Sequence, residues 1–301
     1  MYRILYGTDN SQIDITDICY TKMLKDHQII IPGDDNKRAD FFGDPFYGTL
    51  KNIYIVDNDQ VYSYDTTLNV IIDTQSNIIT TSLVNNFYKF RSELNLQLNH
   101  GTFDSEEPEQ IMSHTFLKGN EKVLEIGGNI GRNSLIIASI LKSQTNTGPL
   151  QFVTLECDQV IAQQLIENRN INNLDFFIEN SALSERRLIQ KGWDTFPLEN
   201  NIIEEGFTEV KTITWKELNE KYNIEFDTLV LDCEGAFYYI LKDTPFILAN
   251  INLVIMENDY HILEHKRYVD SVLSQYGFNR VYSKSGGWGC CADNFFEVWR
   301  K

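Results

Sequence analysis

The chain has 301 residues, enough for one large domain or for a catalytic domain with a small companion. It is 42% hydrophobic and 23% charged, ordinary for a soluble globular protein, and no apolar run reaches the roughly 18 residues needed to cross a membrane. A formal net charge of −17, with no basic run longer than pairs such as Arg186-Arg187 and Lys266-Arg267, argues against nucleic acid as a partner, because phosphate backbones are held by clustered Lys and Arg.

The first residues lack the basic-then-apolar layout of a cleaved leader, so a cytoplasmic location is expected. Cysteines at 19, 157, 233, 290 and 291 have no metal-knuckle spacing and read as incidental thiols. Residues 1–78 read as a small β-rich accessory domain. Short apolar runs at 2–6, 28–31, 52–56, 61–64 and 70–72 are separated by turn formers at 32–36 and 57–59, and only 18–24 suits a helix. Strands spaced so closely predict a small sandwich or barrel.

Residues 79–118 form a helical lead-in to a second domain, 79–301, with helical periodicity over 83–98 and 109–117 and Pro108 suited to a first turn. From Glu121 strands and helices alternate, as in a parallel sheet covered on both faces. Strands are expected at 122–126, 152–156, 176–179, 228–232 and 253–257, and helices at 133–141, 160–168, 215–222, 237–241 and 263–276. Thr214-Trp215-Lys216-Glu217 fits a capping box. Strands at 280–283 and 295–299 read as a closing antiparallel hairpin. The whole predicts an α/β, Rossmann-like, mostly parallel sheet, and its layout resembles that of class I methyltransferases.

The strongest local signal is Val123-Leu124-Glu125-Ile126-Gly127-Gly128-Asn129-Ile130-Gly131, an apolar strand running through a glycine turn into a helix. Such a turn lets backbone approach a ligand closely. A nicotinamide site wants Gly-x-Gly-x-x-Gly and an acid about 20 residues on. Here the glycines are 127, 128 and 131, Glu125 precedes them, and the next strand ends in Glu156. A carboxylate at that strand tip can accept both hydroxyls of an adenosine ribose, so S-adenosylmethionine is the expected cofactor and S-adenosylhomocysteine the product. At the third strand end Asn180 or Ser181 is placed to bond the adenine amine.

The fourth strand ends Asp232-Cys233-Glu234-Gly235 and the fifth Glu257-Asn258-Asp259-Tyr260-His261. Crowded carboxylates at a ligand-binding edge require a cation, a metal or a proton. Asp232 and Glu257 are the candidate catalytic residues, with Asp232 also beside the cofactor, and Asp232, Glu257 and Asn258 offer oxygen ligands for Mg²⁺. The other reading is that these groups orient a hydroxyl acceptor directly. Glu234 and Asn258 are candidate substrate contacts, and Glu234 also suits the first turn of a helix. His261 is a reserve base. Trp288, in the Gly-rich loop 285–290, offers a flat face for a sugar, although the loop also reads as a simple hairpin turn.

Glu-x-Gly-Gly-Asn-x-Gly at 125–131, Asn-x-Ala-Leu-Ser at 180–184, Asp-x-Glu-Gly-Ala at 232–236 and Glu257 together resemble the FkbM-type methyltransferase family over residues 105–300. The resemblance implies S-adenosylmethionine as donor and O-methylation of sugars or other hydroxylated small molecules. Two features depart from that pattern. Glu125 and Gly128 stand where Asp and Ala are usual, and Asp259 stands where a His is often found. A non-catalytic cofactor-binding scaffold and a protein side-chain methyltransferase are the rival readings. The amino-terminal module is expected to bind glycan, recruit a protein or pack on the catalytic domain.

Overall fold

The computed structural model of the chain describes residues 2–58, 60–66, 68–144, 149–198, 202–203 and 205–301. It divides into two compact units, Met1–Glu93 and Leu94–Lys301. In the first unit, alternation of buried and exposed side chains builds two four-stranded antiparallel sheets. One contains Ser11–Asp14, Arg3–Thr8, Asn52–Asp57 and Gln60–Tyr64, in that order. The other contains Leu24–Lys25, Gln28–Ile31, Val70–Asp73 and Ile78–Thr81. Ile4, Tyr6 and Ile53 from one sheet share a core with Ile29, Ile31 and Val70 from the other, which is the sandwich form of the expectation.

The turn formers at 32–36 do more than turn. Asp34 accepts hydrogen bonds from the backbone of Asn36 and Lys37 and so caps the helix Asp35–Phe42, which has no counterpart in the sequence expectations. The expected helix at 18–24 is a short helical stretch, Thr16–Ile18 followed by a π-helical turn Cys19–Met23. Asp59, in the expected turn at 57–59, lies outside the described residues. The helix Ser82–Leu94 stops short of the expected 98 because Asn95 takes a left-handed φ of 51°.

The second unit is built on seven strands. They are β1 (Val123–Ile126), β2 (Phe152–Leu155), β3 (Phe177–Glu179), β4 (Thr228–Leu231), β5 (Leu253–Glu257), β6 (Asn279–Lys284) and β7 (Phe296–Arg300). Their order is β3-β2-β1-β4-β5-β7-β6. The first five run parallel, while β7 enters antiparallel between β5 and β6. Every residue of β1, β2 and β4 is buried, as befits strands covered on both faces.

The helices are α1 (Glu107–Phe116), α2 (Arg132–Gln144), α3 (Gln159–Ile171), α4 (Trp215–Tyr222), α5 (Phe237–Asp243) and α6 (Leu263–Gln275). The Thr214–Glu217 capping box is formed at α4, and Asp158 caps α3. This is the Rossmann-like sheet with a closing antiparallel hairpin expected above. Its chain reverses direction at β1, from which one path runs outward to β2 and the other to β4, and ligands of such sheets bind at that switch point. An inserted three-stranded antiparallel sheet, Leu188–Lys191, Asp194–Pro197 and Thr208–Val210, has no counterpart in the sequence expectations. Among the described residues no helix is long and apolar enough to cross a membrane.

Candidate active site

The glycine turn after β1 is shaped by what lies against it. Gly127 has φ of +90°, and a Cβ there would fall 1.6 Å from the carbonyl oxygen of Asp232, so the β1 and β4 loops approach closely only without a side chain. At Gly128 a Cβ would meet the Thr154 hydroxyl oxygen at 2.2 Å. The amides of Gly127 and Gly128 both donate to the Leu155 carbonyl, at 3.0 and 2.9 Å, which pins the turn to β2. Asn129 is left-handed at φ 46°, and the Gly131 carbonyl opens α2 by accepting from Leu135 at 2.9 Å.

Beside this turn a cleft of about 420 Å³ opens at the carboxyl ends of the strands. Gly127, Asn129, Glu156, Ser181 and Asp232 line it, together with Glu234 and Glu257. Glu156 Oε2 accepts from the Asn129 amide at 2.9 Å and Oε1 from the Asp158 amide at 2.8 Å. Each carboxylate oxygen keeps a lone pair for a ligand hydroxyl, although burial raises the pKa of the group. Asn180 donates its amide to the carbonyls of Glu156 and Cys157, at 2.8 and 3.3 Å, and so braces the loop that carries Glu156. Ser181 donates to Glu179 at 3.1 Å and faces the cleft.

Glu125 lies below the turn. It accepts from the Ser134 hydroxyl and from Asn133, and burial pushes its carboxyl up to about 8. It borders a smaller pocket that shares Glu106, Glu109, Gly127 and Asp232 with the main cleft, and it does not line the main cleft itself.

Carboxylates crowd the opposite wall. Burial, and then Asp259, raise Asp232 well above the usual carboxylate range. Glu257 is raised by burial and by its hydrogen-bonding contact with Glu109. Asp259 is pushed to about 7 by burial and by Glu234. Glu234 is left-handed, with φ of 50°, and this turns its amide toward Asp259 Oδ2 at 2.7 Å. At least one proton or an added cation is needed to relieve such a cluster.

Three expected contacts lie elsewhere. Asn258 is buried and donates its side-chain amide to the Asn294 carbonyl at 2.7 Å, tying β5 to the segment before β7. Successive side chains at a strand end alternate in direction, so Glu257 enters the cleft and Asn258 does not. His261 is 64% exposed, with Nε2 at 3.6 Å from Asp194 and its ring centroid 4.6 Å from that of Trp288. Neither His261 nor Trp288 lines the cleft.

Other residues take those places. Glu106 and Glu109, at the start of α1, line the cleft, and the inserted sheet supplies Gln190, Trp193 and Thr195. Glu106 is held by Arg132 at 2.6 Å and by Asn129 at 2.8 Å. Glu109, Asp232 and Glu257 bring one carboxylate oxygen each within 4.8 Å of one another. The acid-rich Glu106-Glu107-Pro108-Glu109 was the available sequence signal, but it reads equally as the ordinary start of a helix.

The residues present fit S-adenosylmethionine. A carboxylate faces the cleft at the tip of β2, a glycine turn lies beside it, and a cationic ligand would relieve the crowding of the Glu109 and Asp232 carboxyl groups. No family model matches the chain, and no curated protein matches its sequence. Among solved structures it is similar to an O-methyltransferase from Bacillus cereus in complex with S-adenosylhomocysteine, at 16% identity and a TM-score of 0.40, covering 74% of this chain and 92% of that one. It is similar to the O-methyltransferase TomG from Streptomyces achromogenes, involved in tomaymycin synthesis, in complex with S-adenosylmethionine, at 12% identity and a TM-score of 0.38, covering 73% and 89%. It is also similar to a ribosomal protein L11 methylase from Lactobacillus delbrueckii subsp. bulgaricus, at 12% identity and a TM-score of 0.41, covering 68% and 82%.

Proposed function

We propose that the second unit binds S-adenosylmethionine and transfers its methyl group to a hydroxyl of a sugar or another small hydroxylated molecule. The observation that carries this reading is the placement of Glu156 across the glycine turn from Asp232 and Glu257, all three on one cleft. Glu156 would hold the ribose hydroxyls, and Ser181 the adenine edge, with Asn180 bracing the Glu156 loop. Bound there, the cofactor supplies a methyl group on a sulfonium, which leaves by in-line displacement as the acceptor oxygen attacks. The protein's main contribution is positioning. A hydroxyl is a weak nucleophile until its proton has somewhere to go, and Asp232 with Glu257 would orient it and receive that proton.

A small acceptor suits the cleft better than a polyanion. None of the described residues lining it is Lys, Arg or His, so nothing there would neutralise a phosphate backbone. Trp193, from the inserted sheet, offers a flat apolar face at the cleft edge where Trp288 had been expected to serve. His261, directed to Asp194, has no part in this scheme.

The test is calorimetric titration of S-adenosylhomocysteine into the purified chain, followed by transfer of labelled methyl from the donor to a panel of sugars. Micromolar binding with turnover of a hydroxylated acceptor is the expected result. Binding without turnover of any acceptor would favour the scaffold reading, and label on a protein side chain would favour a protein methyltransferase. No binding would remove the cofactor from the account.

A further inference from the structure

We infer that Glu109, Asp232 and Glu257 together form a site for a hard divalent cation, Mg²⁺ or Mn²⁺, in the wall of the cleft. The inference deepens the proposed function and rests on it for its catalytic meaning, whereas the cation site itself is a separate physical claim. Three elements that are distant in the chain converge here, the first turn of α1, the segment after β4 and the end of β5. Their carboxylate oxygens lie within 4.8 Å of one another, close enough for one ion to bind all three at 2.0–2.6 Å after small side-chain rotations.

Glu109 supplies an independent reason. It is 6% exposed, and its Oε2 is buried with no hydrogen-bond partner. An orphaned carboxylate oxygen inside a protein is costly. Arg132, at the start of α2, is paired with Glu106 at 2.6 Å, and Lys266 is paired with Glu297 at 2.8 Å. The ion pairs formed among the described residues leave the three carboxylates to one another. A purely oxygen-donor, purely anionic set selects a hard cation over zinc or copper. Three protein ligands leave open positions on a six-coordinate ion, and these face a cleft large enough for a small molecule.

The chemical consequence is for the acceptor. A hydroxyl bound to a divalent ion would lose its proton more readily, and with Asp232 and Glu257 engaged as ligands that proton would pass to Glu234 on the same cleft, while two adjacent hydroxyls could take neighbouring positions on the ion. The acceptor class this favours is a vicinal diol or a hydroxy acid. Asn258, expected from sequence as a ligand, is replaced in this arrangement by Glu109 from the first turn of α1.

Mn²⁺ titrated into the full-length chain, with free Mn²⁺ followed by electron paramagnetic resonance, tests the site without any need for turnover. One ion per chain, displaced by excess Mg²⁺, is expected. Glu109→Gln and Glu257→Gln should each weaken it at least tenfold, while Glu264→Gln, on the exposed face of α6, should not change it. Both test variants remove one negative charge from a buried cluster, so their thermal midpoints should equal or exceed that of the wild type, and either one alone suffices if the other does not fold. No saturable Mn²⁺ binding by the wild type, or binding by the test variants as tight as that of the wild type, overturns the inference. Titration of S-adenosylhomocysteine in chelator keeps the two claims apart, because cofactor binding without Mn²⁺ binding would end the cation site and leave the methyltransferase reading standing.

Discussion

Glu156 offers the sharpest test of where the cofactor sits. Its two oxygens accept the Asn129 and Asp158 amides at 2.9 and 2.8 Å, so Glu156→Ala removes an intramolecular brace together with the proposed ribose acceptor. A hydrogen bond to a charged group contributes about 1.5–3 kcal/mol, and 1.4 kcal/mol is a factor of ten. Losing the ribose contacts should therefore weaken S-adenosylhomocysteine between about 10- and 150-fold. The folded state should also lose about 1–3 kcal/mol as two amides lose their acceptor, nearer the lower figure because water can enter from the cleft. Calorimetry gives the affinity and urea unfolding the stability, and the two must be measured on the same preparation. Glu156→Gln separates them further, since its amide keeps one acceptor oxygen but turns an N–H group toward a backbone N–H. Affinity within twofold of wild type in both variants would refute the ribose assignment, whatever happened to stability.

Three further outcomes follow from the same geometry. Gly127→Ala should cost at least about 3 kcal/mol in urea unfolding, because its Cβ would lie 1.6 Å from the Asp232 carbonyl oxygen. Gly277→Ala shares a positive φ but has open space around it and should cost only about 1–2 kcal/mol, and equal losses at the two sites would refute the close-approach argument. Glu125 titrates at about 8 in the folded chain against an ordinary 4.5, so its contribution to stability is fully present below about 4.5 and is lost as pH rises through 8. Glu125→Gln should consequently flatten the fall in stability between about pH 4.5 and 8 by a few kcal/mol (order of magnitude), and identical pH slopes for variant and wild type across that range would count against it. Asp232→Ala should leave S-adenosylhomocysteine affinity within a few-fold while turnover of an accepted sugar falls at least about 100-fold, and normal turnover would remove Asp232 from the chemistry.

Local patterns were legible in the sequence alone. Apolar runs at 122–126, 152–156 and 228–232 announced buried parallel strands because both faces of such strands are covered, and the observed β1, β2 and β4 lie within them. The capping box at Thr214 and the glycine turn at 127–131 were equally visible, since a cap or a positive φ depends on few neighbours. The placement of Glu156 at the tip of its strand followed from the same short-range logic.

Tertiary structure decided the rest. Whether Asn258 or Glu257 enters the cleft depends on the direction of the strand end and on the Asn294 carbonyl that captures the Asn258 amide. His261 lies exposed outside the cleft, beside Asp194 from the inserted sheet and Trp288 from the last loop. Glu109 gains its meaning only when α1 is laid against the ends of β4 and β5. Backbone conformation is set by residues a few positions apart, and sequence periodicity records it. The sharing of charge among carboxylates from three separate elements is set by packing, which no local pattern encodes.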